Sequence, residues 1–152
     1  NRSSLYATFN GKDGLFLTCL NKAAKDEITL LEGIKKKSPG TKLIDAYLST
    51  IIKDQPVSHL FKFANAEFKL LNKKTQSFIN SHHRWKVNFL SAAIVEGQRT
   101  GKISKKTDAK HLVGMMELIN QGVKNLSSCA EAEKLYKRSA LEFSALLKKK
   151  NK

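Results

Sequence analysis

Ser4-Leu5-Tyr6-Ala7-Thr8-Phe9-Asn10-Gly11-Lys12-Asp13-Gly14-Leu15-Phe16 is the stretch from which the rest of the chain is read. Leu5 and Phe9 lie four apart, the spacing of one helix face. Asn10 and Gly11 both tolerate left-handed backbone angles, so the pair ends that short helix. A second helix is expected from about Asp13 to Lys36, with Leu15, Phe16, Cys19, Leu20, Ala23, Ala24, Ile28 and Leu31 recurring at helical spacing. Asp13 suits the positive N-terminal end of that helix, and Lys35 to Lys37 suit its negative C-terminal end.

Helical periodicity continues outward. Ser38-Pro39-Gly40 is a break, with Thr41 expected as the next N-cap. Leu43, Ile44, Tyr47, Leu48, Ile51 and Ile52 stripe a helix from about Lys42 to Lys53. A segment opening at Pro56 carries Leu60, Phe61, Phe63, Ala64, Phe68 and Leu71, a density that predicts burial on more than one side. Phe78, Trp85, Phe89, Ala92, Ala93 and Val95 mark the buried side of a long helix from about Lys74 to Arg99, which Gly101 terminates. Thr107 or Asp108 caps the next helix, with Leu112, Val113, Met115, Met116, Leu118, Ile119, Val123 and Leu126. Ser128-Cys129-Ala130-Glu131 reads as a capping box before a last helix through Ala132, Leu135, Tyr136, Ala140, Phe143, Leu146 and Leu147. Lys148 to Lys152 reads as a frayed tail.

Among the 152 residues are only two prolines and eight glycines, which favours helices over a turn-rich β fold. The net charge of +15, from 28 basic and 13 acidic residues, attracts phosphate polyanions and anionic surfaces. Arg2, Arg84, Arg99 and Arg138 are the only arginines, so the same excess also reads as a lysine-rich helix exterior with no nucleic-acid role. Cys19 and Cys129 stand far apart in no CxxC context, which fits free thiols in a reducing cytosol. No apolar run is long enough to span a bilayer and no leader opens the chain, so a cytoplasmic protein with no membrane partner is expected.

The opening stretch resembles the end of the helix-turn-helix in TetR-family (tetracycline-repressor-like) transcription regulators. In that family the recognition helix closes on a Leu-Tyr-x-x-Phe pattern, here Leu5, Tyr6 and Phe9. A Lys-Asp pair and a Leu-Phe pair, here Lys12-Asp13 and Leu15-Phe16, then open the following helix. Phe63-Ala64-Asn65-Ala66-Glu67 is similar to a stretch in the family's ligand domains. Ala92 to Ile103, with Glu96-Gly97 and Gly101, resembles the end of the family's seventh helix, and Gln121-Gly122 a pair in its eighth. The likeness runs over nearly the whole chain. One departure stands out: the two helices that precede the recognition helix in the family have no counterpart in this sequence.

The resemblance implies an all-α fold. It further implies that residues 1–37 are a partial helix-turn-helix DNA-binding domain and residues 38–152 an effector-binding and dimerisation domain. Arg2 and Ser3 are then expected at base edges or phosphates, and Ser4, Tyr6, Thr8 and Lys12 at the DNA backbone. Tyr6 also reads as packing beside Phe9, and Lys12 as an ordinary solvated lysine. The effector pocket is expected among Tyr47, Ile51, Phe61, Phe68, Trp85, Phe89, Met115 and Met116, with Asn65, Asn88 and Asn120 as polar anchors. Leu118, Ile119, Gly122, Val123, Tyr136, Ala140 and Phe143 are expected to pair with a twofold mate, though they also serve to complete a monomer core. The implied partners are double-stranded operator DNA, a small and mainly apolar effector, and a second copy of the chain.

No catalytic constellation is legible. His59, His82, His83 and His111 are not spaced with carboxylates or cysteines as metal ligands are, and His82 and His83 are read as surface or pocket-edge residues. No Ser-His-Asp pattern, Gly-rich phosphate loop or carboxylate pair is visible, so neither an enzyme nor a cofactor is expected. Two other readings fit the composition: a helical carrier of small molecules or lipids, and a nucleic-acid-binding protein that needs no effector.

Overall fold

Asn10 and Gly11 take positive φ values of 59° and 88°, the left-handed turn expected of that pair. The helix after it starts at once. In the computed structural model, which describes residues 8–52, 59–125 and 130–148, α1 runs Gly11–Lys37, two residues earlier than the apolar pattern alone places it. Gly14 has a steric reason to be glycine. A Cβ built there would lie 1.7 Å from the carbonyl oxygen of Phe9, and backbone cannot give way as a flexible side chain can.

Five further α-helices follow among the described residues: α2 Thr41–Ile52, α3 His59–Ala66, α4 Lys73–Arg99, α5 Ala109–Asn125 and α6 Ala130–Leu147. A 3-10 turn, Phe68–Leu70, lies between α3 and α4. The fold is all-α. The described residues contain no strand beyond an isolated bridge between Ile103 and Lys148.

The helix ends follow from local chemistry. The Thr75 N–H donates to Asn72 Oδ1 at 2.9 Å and caps α4, and Gln76 Nε2 donates to the carbonyls of Phe68 and Leu71. The Gln76 bonds tie the 3-10 turn to the first turn of α4. Asp108 caps α5, its Oδ1 accepting from the N–H groups of Lys110 at 2.8 Å and His111 at 3.3 Å. Gln98 Nε2 ties down the connecting loop through the carbonyls of Ser104 and Thr107.

Two compact units interleave in sequence. The first comprises Asn1–Leu30 and Pro56–His83, the second Leu31–Gln55 and Arg84–Lys152. In the first, Leu20, Ala64 and Ile79 are buried and Phe16, Leu60, Phe61, Phe68, Leu71 and Phe78 pack against them. His82 Nε2 lies 2.7 Å from Glu27 Oε2, and its ring stacks on Phe61 with centroids 4.7 Å apart. Of the two histidines expected at the surface or at a pocket edge, His82 is buried, its burial compensated by a carboxylate and an aromatic face, and His83 is exposed.

In the second unit α2, α5 and α6 pack together with parts of α1 and α4 around Leu31, Leu43, Ile44, Tyr47, Leu48, Leu90, Ile94, Leu112, Val113 and Met116. Gly97 lets α4 approach closely. A Cβ there would meet Thr41 Cγ2 at 2.6 Å and Ile103 Cδ1 at 2.7 Å.

Several positions differ from the periodic reading. The buried side of α4 follows Leu90, Ala93, Ile94 and Gly97, which turns Ala92 and Val95 outward. Phe63 and Cys19 are likewise exposed. Lys148 is not frayed. Its Nζ lies 2.8 Å from Asp45 Oδ2 beside the bridge to Ile103. Pro56, Leu126, the Ser128–Cys129 part of the expected capping box and residues 149–152 lie outside the described residues.

Candidate functional site

The second unit's core is apolar except where α2, α4 and α5 each direct polar side chains into it. Tyr47 comes from α2 and Lys86 from α4. Glu117 and Asn120 come from α5, three apart and so on neighbouring turns of one face. Lys86 Nζ pairs with Glu117 Oε2 at 3.0 Å, with the two side chains only 12% and 11% exposed. The Tyr47 hydroxyl donates to the other carboxylate oxygen, Glu117 Oε1. Asn120 Nδ2 donates to the Tyr47 hydroxyl oxygen at 3.3 Å.

The direction of this chain follows from donor and acceptor chemistry. A carboxylate only accepts, so the Tyr47 proton points at Glu117. The phenol oxygen then offers lone pairs, and the Asn120 amide must turn its NH2 toward it. That leaves Asn120 Oδ1 facing away, and this atom is buried with no hydrogen-bond partner. Asn120 as a whole is 2% exposed. A buried acceptor left unpaired costs about 1–3 kcal/mol, so its persistence in a packed core calls for a reason. Ser91 Oγ, on α4, is the other buried side-chain atom of this kind among the described residues.

Around this centre the apolar cluster includes Met116, fully buried, and the half-buried Trp85 and Phe89, whose rings stack with centroids 5.2 Å apart. Lys35 Nζ lies 5.2 Å from the Phe89 ring centroid, a cation on an aromatic face. Tyr47, Trp85, Phe89 and Met116, four of the residues expected at an effector pocket, thus belong to one core cluster. The others do not join it. Phe61 and Phe68 belong to the first unit's cluster, and Met115 is exposed on α5. Ile51 lies in α2, but its side chain is outside the description. Of the three asparagines considered as anchors, Asn65 and Asn88 are exposed and Asn120 is buried.

Glu117 and Lys86 escaped the sequence reading, which sought pocket residues among aromatic and sulfur side chains. A signal was present. Val113, Met116, Glu117 and Asn120 follow the i, i+3, i+4, i+7 register of a buried stripe, so a charge falls on apolar spacing. Lys86 stands on the register of Leu90, Ala93 and Gly97.

Of the residues expected at DNA, Arg2, Ser3, Ser4 and Tyr6 lie outside the described residues, whereas Thr8 and Lys12 are exposed near the start of α1. Among those expected at a twofold interface, Leu118 is 73% exposed, and a Cβ at Gly122 would meet nothing within 4 Å. Ile119, Tyr136 and Phe143 are half-buried against the second unit's core, and Val123 and Ala140 are buried within the chain itself.

A surface cleft where α2 begins is lined by Lys37, Lys42 and Lys102 together with Thr41, Glu96 and Thr100. Arg99 grips Glu96 through two hydrogen bonds of 2.9 and 2.8 Å, which hold the Glu96 carboxyl below its ordinary pKa and raise that of Arg99. Among the described residues no group of three or more His, Cys, Asp or Glu is placed to hold a metal ion, and no helix is long and apolar enough to cross a membrane. Comparison with protein-family models, with curated proteins and with solved structures finds no match to this chain.

Proposed function

We propose that this chain belongs to a ligand-responsive DNA-binding transcription regulator of the TetR type, acting as a homodimer and most simply as a repressor. One observation carries the reading: four residues singled out for an effector pocket, Tyr47, Trp85, Phe89 and Met116, fall in one core cluster that also contains a partly unsatisfied polar centre. The left-handed break at Asn10 and Gly11 agrees with the turn that the resemblance requires after a recognition helix. The net charge of +15 favours a phosphate polyanion as partner.

In this reading Arg2, Ser3, Ser4, Tyr6, Thr8 and Lys12 serve DNA contact from residues 1–37, and residues 38–152 hold the effector and the twofold interface. Leu118 and Met115, large apolar side chains left in solvent on α5, are natural contacts for a second copy. Effector binding shifts the dimer between a state with its DNA-reading ends at operator spacing and one with them misplaced. The shift is limited by the effector's difference in affinity for the two states.

Selection from a random duplex library with the full-length protein tests this. A palindromic site with half-sites about one helical turn apart, roughly 34–36 Å, is the expected outcome. A library that stays unenriched overturns it. The polar centre in the core equally suits a small-molecule carrier with no DNA partner, and the same selection separates the two.

A further inference from the structure

We infer that the basic cleft where α2 begins binds a small molecule carrying a phosphate monoester. The site goes beyond the function proposed above: none of its lining residues belongs to the aromatic cluster, and DNA has no part in it.

Three lysines converge on the cleft from three segments. Lys37 ends α1, Lys42 lies in the first turn of α2, and Lys102 follows the end of α4. Among the described residues none of the three has a carboxylate at salt-bridge distance. The one acidic residue in the lining, Glu96, is already held. Arg99 Nε and Nη2 donate to its two carboxylate oxygens at 2.9 and 2.8 Å. The cleft therefore gathers positive charge that nothing within it neutralises, and an anion relieves the repulsion.

The frame that carries these charges is set in advance. Gly97 brings α4 against the start of α2, where a Cβ would lie 2.6 Å from Thr41 Cγ2. The N–H groups of Lys102 and Ile103 donate to the Gly97 carbonyl at 2.8 and 3.0 Å, and Gln98 fastens the rest of that loop. A site whose backbone is already fixed loses less entropy on binding. All of the lining belongs to the second unit.

Size and charge narrow the ligand. The cleft holds about 230 Å³, room for a small anion and not for a duplex. A phosphate monoester carries nearly two negative charges above its second pKa of about 6, whereas a phosphodiester carries one. Lysine ammonium groups bind phosphate as point charges, so three of them favour the dianion.

Nuclear magnetic resonance of the isotope-labelled chain, near pH 8 and at fixed ionic strength, tests the site with glycerol 3-phosphate as monoester and dimethyl phosphate as diester. The backbone signals of Thr41, Gly97 and Lys102 should shift saturably with the monoester, and the diester should bind at least about fivefold more weakly. Lys42→Gln and Lys102→Gln should each weaken the monoester by about fivefold, the scale of one unit-charge contact in water. Arg99→Gln frees Glu96 to compete for the lysines and should also weaken binding, while Glu96→Gln should strengthen it. Lys25→Gln, at an exposed lysine of α1 outside the cleft, should change nothing. The absence of a saturable shift at these signals overturns the inference. Equal affinity for the diester does so too, since it assigns the charge to nucleic-acid or lipid phosphates. A loss in Lys25→Gln as large as in the cleft variants also overturns it, since it assigns binding to the lysine-rich surface as a whole.

Discussion

Replacing Lys86 with Met tests whether the Glu117 centre is a buried ion pair or a surface one. The two side chains are 12% and 11% exposed and 3.0 Å apart. At an effective dielectric near 20 their attraction is about 5–6 kcal/mol before desolvation is subtracted. Removing the cation leaves the Glu117 carboxylate buried beside the Tyr47 hydroxyl that donates to it. Breaking a buried pair costs roughly 3–5 kcal/mol, and the retained hydrogen bond places this case near 3. Against a typical total of about 5–15 kcal/mol that is a large loss, and for a chain of this length it lowers Tm by roughly 6–12 °C. Urea unfolding monitored by circular dichroism measures it. Adding Glu117→Gln removes the stranded charge while keeping an acceptor for Tyr47, and should bring the double variant back to within about 1 kcal/mol of wild type. A Lys86→Met protein within about 0.5 kcal/mol of wild type would refute the reasoning, since that is how a solvent-screened pair behaves.

Further consequences are open to direct measurement. Gly97→Ala forces a Cβ against Thr41 and Ile103 and should cost about 1–3 kcal/mol in thermal unfolding; Gly14→Ala meets the Phe9 carbonyl, which cannot swing away, and should cost more. If the proposed dimer forms through α5, Leu118→Lys should convert it to a monomer by light scattering, because Leu118 is a large apolar side chain exposed on the single chain; a wild-type monomer, or a variant that stays dimeric, would refute that interface. The Glu96 carboxyl should titrate below the ordinary range by carbon NMR and rise toward it in Arg99→Gln, because the Arg99 hydrogen bond is the largest cause of the shift. Its folded pKa is depressed, so its small favourable contribution is complete above the unfolded value and is lost as pH falls through the folded one.

The helices were legible because their signals are local. The Asn10-Gly11 turn, the cap at Asp108 and the ends of α1 and α4 each depend on residues within a few positions. Which apolar residues face inward was less legible. Val95, Ala92 and Phe63 fit a broad stripe, yet the face actually buried is set by the neighbouring helices, about which the chain's own periodicity is silent. The division into two units was not readable at all, since α1 and α4 are each continuous and contribute to both. Half of the candidate site was visible as aromatic and sulfur residues. Of its polar centre, Tyr47 and Asn120 were among the residues considered, but Lys86 and Glu117 were not, because the four meet only after three helices pack, at separations of 70 residues for the Tyr47–Glu117 bond and 73 for Tyr47–Asn120.

Fluorescence anisotropy with the full-length protein, titrated against a selected palindromic duplex and a scrambled one over a range of salt, tests the regulatory function most directly. A sequence-reading regulator should prefer the palindrome by on the order of 10³-fold or more, with both affinities falling linearly in log salt. Equal affinity for the two duplexes at every salt concentration would contradict it.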